Sequence, residues 1–116
     1  MSLIVVGTMA FDAIETPFGK TDKIVGGSAI YVAYTASNFI KDVKQVSIVG
    51  YDFPEEEMAE LSARGVSLEG VVVVPDKKSF FWSGKYHMDM NSRDTLETQL
   101  NVLGDFQPVV PVLIQP

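Results

Sequence analysis

The chain has 116 residues, the usual size of one domain, and its 47% hydrophobic and 21% charged residues match globular proteins rather than disordered or membrane ones. Fifteen acidic against nine scattered basic residues give a formal net charge of -6, which argues against a nucleic-acid partner, since phosphate backbones are held by clustered Lys and Arg. Cysteine is absent, so no disulfide, thiol nucleophile or thiolate metal site can form; with neither an export signal nor an apolar run of membrane length, the expectation is a cytoplasmic protein with no membrane partner.

Leu3 to Val6 is a short apolar run closed by Gly7, the pattern of a buried strand ending in a turn. Asp12 follows just past the C-terminal end of that strand, where open α/β sheets bind their ligands. A carboxylate there suits two sugar hydroxyls; a loop Asp bonded to its own backbone is the alternative. Ile14 to Val25, broken by Pro17, Gly19 and Thr21-Asp22, predicts a hairpin or irregular ribbon. Gly26-Gly27-Ser28 then opens Ala29 to Ile40, where apolar residues recur at helical spacing and Ser28 lies near the N-cap. Glycines before a helix let backbone approach a ligand, with the first-turn N–H groups pointing at it; a plain tight turn is the alternative. Neither a dinucleotide-binding fingerprint nor a glycine-rich phosphate loop occurs.

Val46 to Val49, ended by Gly50, predicts a second strand. Pro54 with Glu55, Glu56 and Glu57 starts a helix running to about Arg64, and Gly65 suits its C-terminal cap. The glutamates belong to that helix start rather than to a catalytic pair, because consecutive helical residues point about 100° apart. Strand, helix, strand and helix in this order indicate a parallel α/β sheet. From Val71 the pattern changes. Val71 to Val74, Phe80 to Trp82 and Lys85 to His87, separated by Asp76-Lys77 and Ser83-Gly84, read as β-hairpins of a second, antiparallel element. Phe80, Phe81, Trp82 and Tyr86 give it an apolar face for a ligand, a second chain or the core. His87, the one histidine, decorates a strand and supports neither a multi-histidine metal site nor a Ser-His-Asp triad. Arg93 to Leu100 is a strand or a short helix, and Pro108, Pro111 and Pro116 mark an irregular tail.

Taken in order, Gly7-Thr8-Met9-Ala10-Phe11-Asp12, Gly26-Gly27-Ser28-Ala29 and Val49-Gly50-Tyr51-Asp52-Phe53 resemble the opening third of the ribokinase, or PfkB, carbohydrate kinase family. Phe80 to Tyr86, followed by Thr95-Leu96-Glu97-Thr98, resembles the lid of its adenosine-kinase-like branch of nucleoside kinases. The resemblance implies a ribokinase-like α/β fold: a partial parallel-sheet, Rossmann-like core with a small antiparallel β-sheet lid. Its expected divisions are a core strand at residues 1–12, a lid excursion at 13–25, the acceptor-binding α/β core at 26–75, lid hairpins at 76–100 and an irregular tail at 101–116.

The same resemblance implies phosphorylation of a nucleoside or sugar hydroxyl with ATP and Mg2+, and it places Asp12, Gly26, Gly27, Tyr31, Phe81 and Tyr86 at the acceptor. Tyr31 stands where the family often has Asn in G-G-x-x-x-N, and Ala10 where ribokinases carry an Asn two residues before the Asp. Both changes lean the acceptor away from plain ribose, toward a nucleoside or an unusual sugar. The family's D-T-x-G-A-G-D-like segment, which supplies the anion hole and the catalytic base, lies in the C-terminal half and has no counterpart here. The expectation is therefore an acceptor-binding half and lid, with no catalytic residue and no metal ligand in this chain, inactive by itself. A homodimer of lid against lid is the expected assembly, and a non-catalytic binding or dimerisation module is the alternative reading.

Overall fold

The computed structural model describes residues 2–108. In chain order its elements are β1 (Ser2–Val6), β2 (Ala10–Thr16), β3 (Gly19–Lys20), β4 (Ile24–Gly26), α1 (Ser28–Ala36), β5 (Asp42–Gly50), α2 (Glu55–Ala63), β6 (Val66–Val74), β7 (Phe81–Tyr86) and β8 (Arg93–Gln99), followed by a 3-10 turn at Asn101–Asp105. They form two sheets. β1, β5 and β6 make an all-parallel core sheet with β5 in the middle. β2, β7 and β8 make the lid sheet, with β3 and β4 both paired to the free edge of β2. The lid is mainly antiparallel, but β2 and β7 run parallel. No described helix is long and apolar enough to cross a membrane.

The core sheet is covered by two helices. Ala29, Ile30 and Ala33 of α1 and Leu61 of α2 bury in one cluster with Val5, Met9, Val43, Val49, Phe53 and Val66. The small alanines bring α1 close to the strands, and the full burial of a side chain such as Leu61 stabilises the fold by roughly 1.5–3 kcal/mol relative to exposure. Glu55, Glu56 and Glu57 occupy the first turn of α2, where they complement its positive end, and the Gly65 N–H returns to the Ser62 carbonyl at 3.0 Å. Across the top, the Tyr34 hydroxyl donates to Glu57 Oε2 at 2.7 Å and ties α1 to α2.

Several expectations change. α1 begins at Ser28 and ends at Ala36 rather than Ile40, because Asn38 and Phe39 bond three residues back, to Thr35 and Ala36, and wind the chain out of the helix. Gly27, at φ 102° and ψ 146°, is the N-cap in place of Ser28, and an added Cβ there would strike the Thr8 carbonyl. Val71 to Val74 opens no hairpin. It is the second half of β6, paired in parallel with Ser47 to Gly50 of the core. Ser83-Gly84 is not a turn either, since β7 runs through it with a register shift against β8. Arg93–Gln99 is a strand.

The excursion from core to lid comes earlier than residue 13. β2 starts at Ala10, so Asp12 sits within a lid strand, paired to Ile24 and Trp82, and the reading of Asp12 as a loop former fails. Residues 101–105 are ordered as the 3-10 turn, whose Val102 is fully buried and packs by β5. Residues 109–116, with Pro111 and Pro116, lie outside the described residues.

Among the contacts that seat the lid on the core are an aromatic pair and a polar junction. The rings of Phe11 and Phe53 lie 5.9 Å apart. Buried Ser79, on the approach to β7, donates its N–H to Asp52 Oδ1 (2.8 Å), accepts the Gly50 N–H on Oγ (2.8 Å), and accepts Asn101 Nδ2 on its carbonyl (3.0 Å).

Candidate functional site

Side chains alternate across a strand, so Ala10, Asp12 and Ile14 of β2 project to one face of the lid sheet. Parallel pairing sets Trp82 beside Asp12, and Tyr86 pairs with Arg93 of β8. With Phe80, Tyr31 of α1 and the Thr8 and Gly27 backbone, these residues line a cleft of about 410 Å³ between the lid and the start of α1.

Asp12 is half-buried, and burial pushes its carboxyl above the ordinary 3.8. No hydrogen bond or ion pair to its carboxylate occurs among the described residues. Gly26 pairs with Ala10 directly beneath it, and an added Cβ would overlap the Asp12 carboxylate and stand 3.1 Å from the Tyr31 hydroxyl. Gly26 is thus what lets the carboxylate lie back against β4 at the lining of the cleft. Its importance is steric alone, while Gly27 combines a positive φ with a close approach to Thr8.

The start of α1 differs from the sequence expectation. The Ser28 N–H donates to Thr8 Oγ1 (3.0 Å) and the Ala29 N–H to the Thr8 carbonyl (3.1 Å), so Thr8 already engages these two first-turn donors. Thr8 serves as a cap delivered from the β1–β2 connection, and the helix start offers less to a ligand than the glycine pair suggested.

Of the six residues expected at the acceptor, Asp12, Gly27, Tyr31 and Tyr86 line the cleft and Gly26 supports it from below. Phe81 does not. It is 7% exposed on the opposite face of the lid, with Lys23 Nζ 4.7 Å above its ring and 5.9 Å from that of Phe11. Its neighbours Phe80 and Trp82 take the cleft side. Strand parity carried this signal, because Phe81 and Tyr86 sit at odd and even places of one strand while Phe80, Trp82 and Tyr86 share parity. Thr8 and Arg93 carried no comparable signal.

Trp82 is held flat. A Cβ on Gly84 would run into the indole ring, Trp82 Nε1 donates to Thr95 Oγ1 at 3.2 Å, and the Arg93 guanidinium lies 5.4 Å from the ring centre. Opposite, Tyr31 is 55% exposed and presents its ring to the same space. Among the described residues no group of three or more His, Cys, Asp or Glu side chains is placed to hold a metal ion, so no step through magnesium is assigned to them.

No family model matches the chain. Among curated proteins, a cytidine kinase of Thermococcus kodakarensis is 32% identical over 77 residues, covering 66% of this chain and 27% of that protein. Solved structures similar to it include the nucleoside kinase of Burkholderia thailandensis in complex with inosine, with a TM-score of 0.71, 22% identity, and coverage of 90% of this chain and 38% of that one. A nucleoside kinase of Methanocaldococcus jannaschii, an archaeal member of the ribokinase family, superposes with a TM-score of 0.72 at 17% identity over 94% of this chain and 41% of its own. A ribokinase of Cryptococcus neoformans in complex with ADP gives 0.69 at 16% identity over 86% and 35%. This chain therefore spans well under half the length of each of these proteins.

Proposed function

We propose, from a chain that has the ribokinase-like fold, that it forms the acceptor-binding half and lid of a kinase that phosphorylates a hydroxyl of a nucleoside or sugar. The observation that carries this reading is the half-buried Asp12 carboxylate, without a protein partner among the described residues, facing an aromatic-walled cleft. A carboxylate in that state accepts hydrogen bonds from two vicinal hydroxyls and recovers what burial took from its hydration. The fold neighbours and the curated relative, all kinases, support it.

In the proposed reaction the acceptor oxygen attacks the γ-phosphorus of ATP, the bond from that phosphorus to the β,γ-bridging oxygen breaks, and ADP leaves. The hydroxyl proton passes to a base. That base, the anion hole and the sites for ATP and Mg2+ are assigned to parts of the parent protein outside this chain. The residues here do the positioning. Asp12 orients the hydroxyl pair, Gly26 and Gly27 allow the close approach of β4 and α1, and Tyr31 and Tyr86 flank the acceptor. Phe80 and Trp82, in the place expected of Phe81, exclude water so that ATP is not hydrolysed instead.

Coupled kinase assays of the full-length protein with inosine, cytidine, adenosine, ribose and fructose test the reading. Turnover is expected with at least one, and Asp12→Asn should lower kcat/KM by more than about tenfold. Inactivity across the panel, or an unaffected Asp12→Asn enzyme, would refute it.

A homodimer through the lid is proposed alongside. All seven residues of β8 are exposed and Leu96 is among them, an unpaired edge strand of the kind that seeks a partner. Light scattering of the full-length protein should give twice the chain mass; a monomer at all concentrations would count against it. Dimerisation of a protein that binds no nucleoside or sugar would instead favour a non-catalytic assembly module.

A further inference from the structure

Arg93 lines the cleft with no carboxylate paired to it among the described residues. Its neighbour Asp94 points the other way, to His87 Nε2 at 3.1 Å, and among the described residues Arg93 has no ion pair or side-chain hydrogen bond; its one partner is the Trp82 ring. An arginine beside an indole keeps its fork of N–H donors in the plane of the guanidinium, ready for a group that offers two acceptors side by side. Asp12, on β2 two strands away from β8 and paired with Trp82 of the strand between, is an acceptor only when ionised. The cleft thus has a pole that takes hydroxyl donors and a pole that supplies paired donors, separated by a flat wall of Trp82 and Tyr86 and faced by Tyr31.

From this we infer that the acceptor is a nucleoside whose base presents two adjacent hydrogen-bond acceptors to Arg93, and that Arg93 is the residue that selects the base. The inference rests on the acceptor-binding reading of Asp12 and deepens it. The ribose diol would sit at Asp12, the base would lie along Trp82, and the guanidinium would reach its edge. A 6-oxopurine offers O6 and N7 together, and cytosine offers O2 and N3. Adenine places an amino donor next to N7, and uracil places N3–H next to O2, so each sets a donor against a donor. The expected order is inosine, guanosine and cytidine ahead of adenosine and uridine. A free sugar engages only the Asp12 pole.

The discriminating measurement is calorimetric binding to the full-length protein of inosine and of purine riboside, which differs in lacking O6 and the N1 proton. Native protein should bind inosine about 10- to 100-fold more tightly, the range of one good bidentate contact. Arg93→Met keeps the hydrophobic stem and should bring that ratio to about one; Arg93→Lys, which cannot fork, should also lose most of it. A general loosening of the lid would weaken both ligands and leave the ratio standing, which would overturn the inference. So would native protein that binds nucleosides without preferring inosine, with the acceptor reading intact. Native protein that binds neither nucleosides nor sugars would bring down both.

Discussion

Replacing Gly26 by alanine separates the steric reading of the site from a purely structural one. Gly26 has no positive φ, so its backbone accepts an L side chain without strain. The new methyl, however, falls on the Asp12 carboxylate and crowds the Tyr31 hydroxyl at 3.1 Å. The carboxylate must rotate away from its place beside β4. If it holds acceptor hydroxyls through charge-assisted hydrogen bonds worth about 1.5–3 kcal/mol each, losing the alignment of one weakens binding by about 10- to 150-fold. Gly27→Ala is the contrast. At φ 102° with Thr8 beneath it, that substitution strains the backbone by at least about 1–2 kcal/mol and should act on stability. The assay is calorimetry with inosine and ribose beside thermal melts of the same full-length preparations. Gly26→Ala should lose affinity with little change in Tm, and Gly27→Ala should lose Tm. Adding Asp12→Ala to Gly26→Ala should cost no more affinity than Asp12→Ala alone, since both act through one carboxylate. Native affinity in Gly26→Ala, or fully additive losses, would refute the reasoning.

Other outcomes follow from groups away from the cleft. Gln45 of β5 is fully buried, and neither its amide nitrogen nor its amide oxygen has a partner among the described residues. Gln45→Leu or Gln45→Met should therefore stabilise the protein by about 1–3 kcal/mol, read as a higher urea midpoint, because each unsatisfied buried group costs about that much; a lower midpoint would mean that the amide is satisfied in solution. Burial first, and then the bond to Glu57, push the Tyr34 hydroxyl from 10.0 up to about 12. A folded-state value above the unfolded one means that the contribution is complete below pH 10 and is lost as pH rises to about 12. Urea midpoints should fall across that window in native protein and fall less in Tyr34→Phe.

Short-range signals in the chain were sufficient for much of this. Pro54, the three glutamates and Gly65 bounded α2 within a residue, because capping and the macrodipole act within one turn. Gly7, the glycine pair and the apolar runs placed β1, α1 and β5 in the right order, and the fold resemblance to the ribokinase/PfkB family is borne out. The tertiary structure decided what depends on partners far along the chain. β2 and β7, about 70 residues apart, pair in parallel, and only that pairing sets Trp82 beside Asp12 and turns Phe81 to the back of the lid. Period-two alternation says which residues share a face, and it is silent on which face meets the cleft. Thr8 as the cap of α1, Arg93 against the Trp82 ring and Gln45 as an amide without a partner among the described residues are likewise products of contacts across the chain. The sequence by itself determined the order of the core strands and helices and brought Asp12 and the glycine pair forward as candidates for one site; the packing of lid against core decided which side chains stand around them, because those neighbours are set by strand pairing and not by local preference.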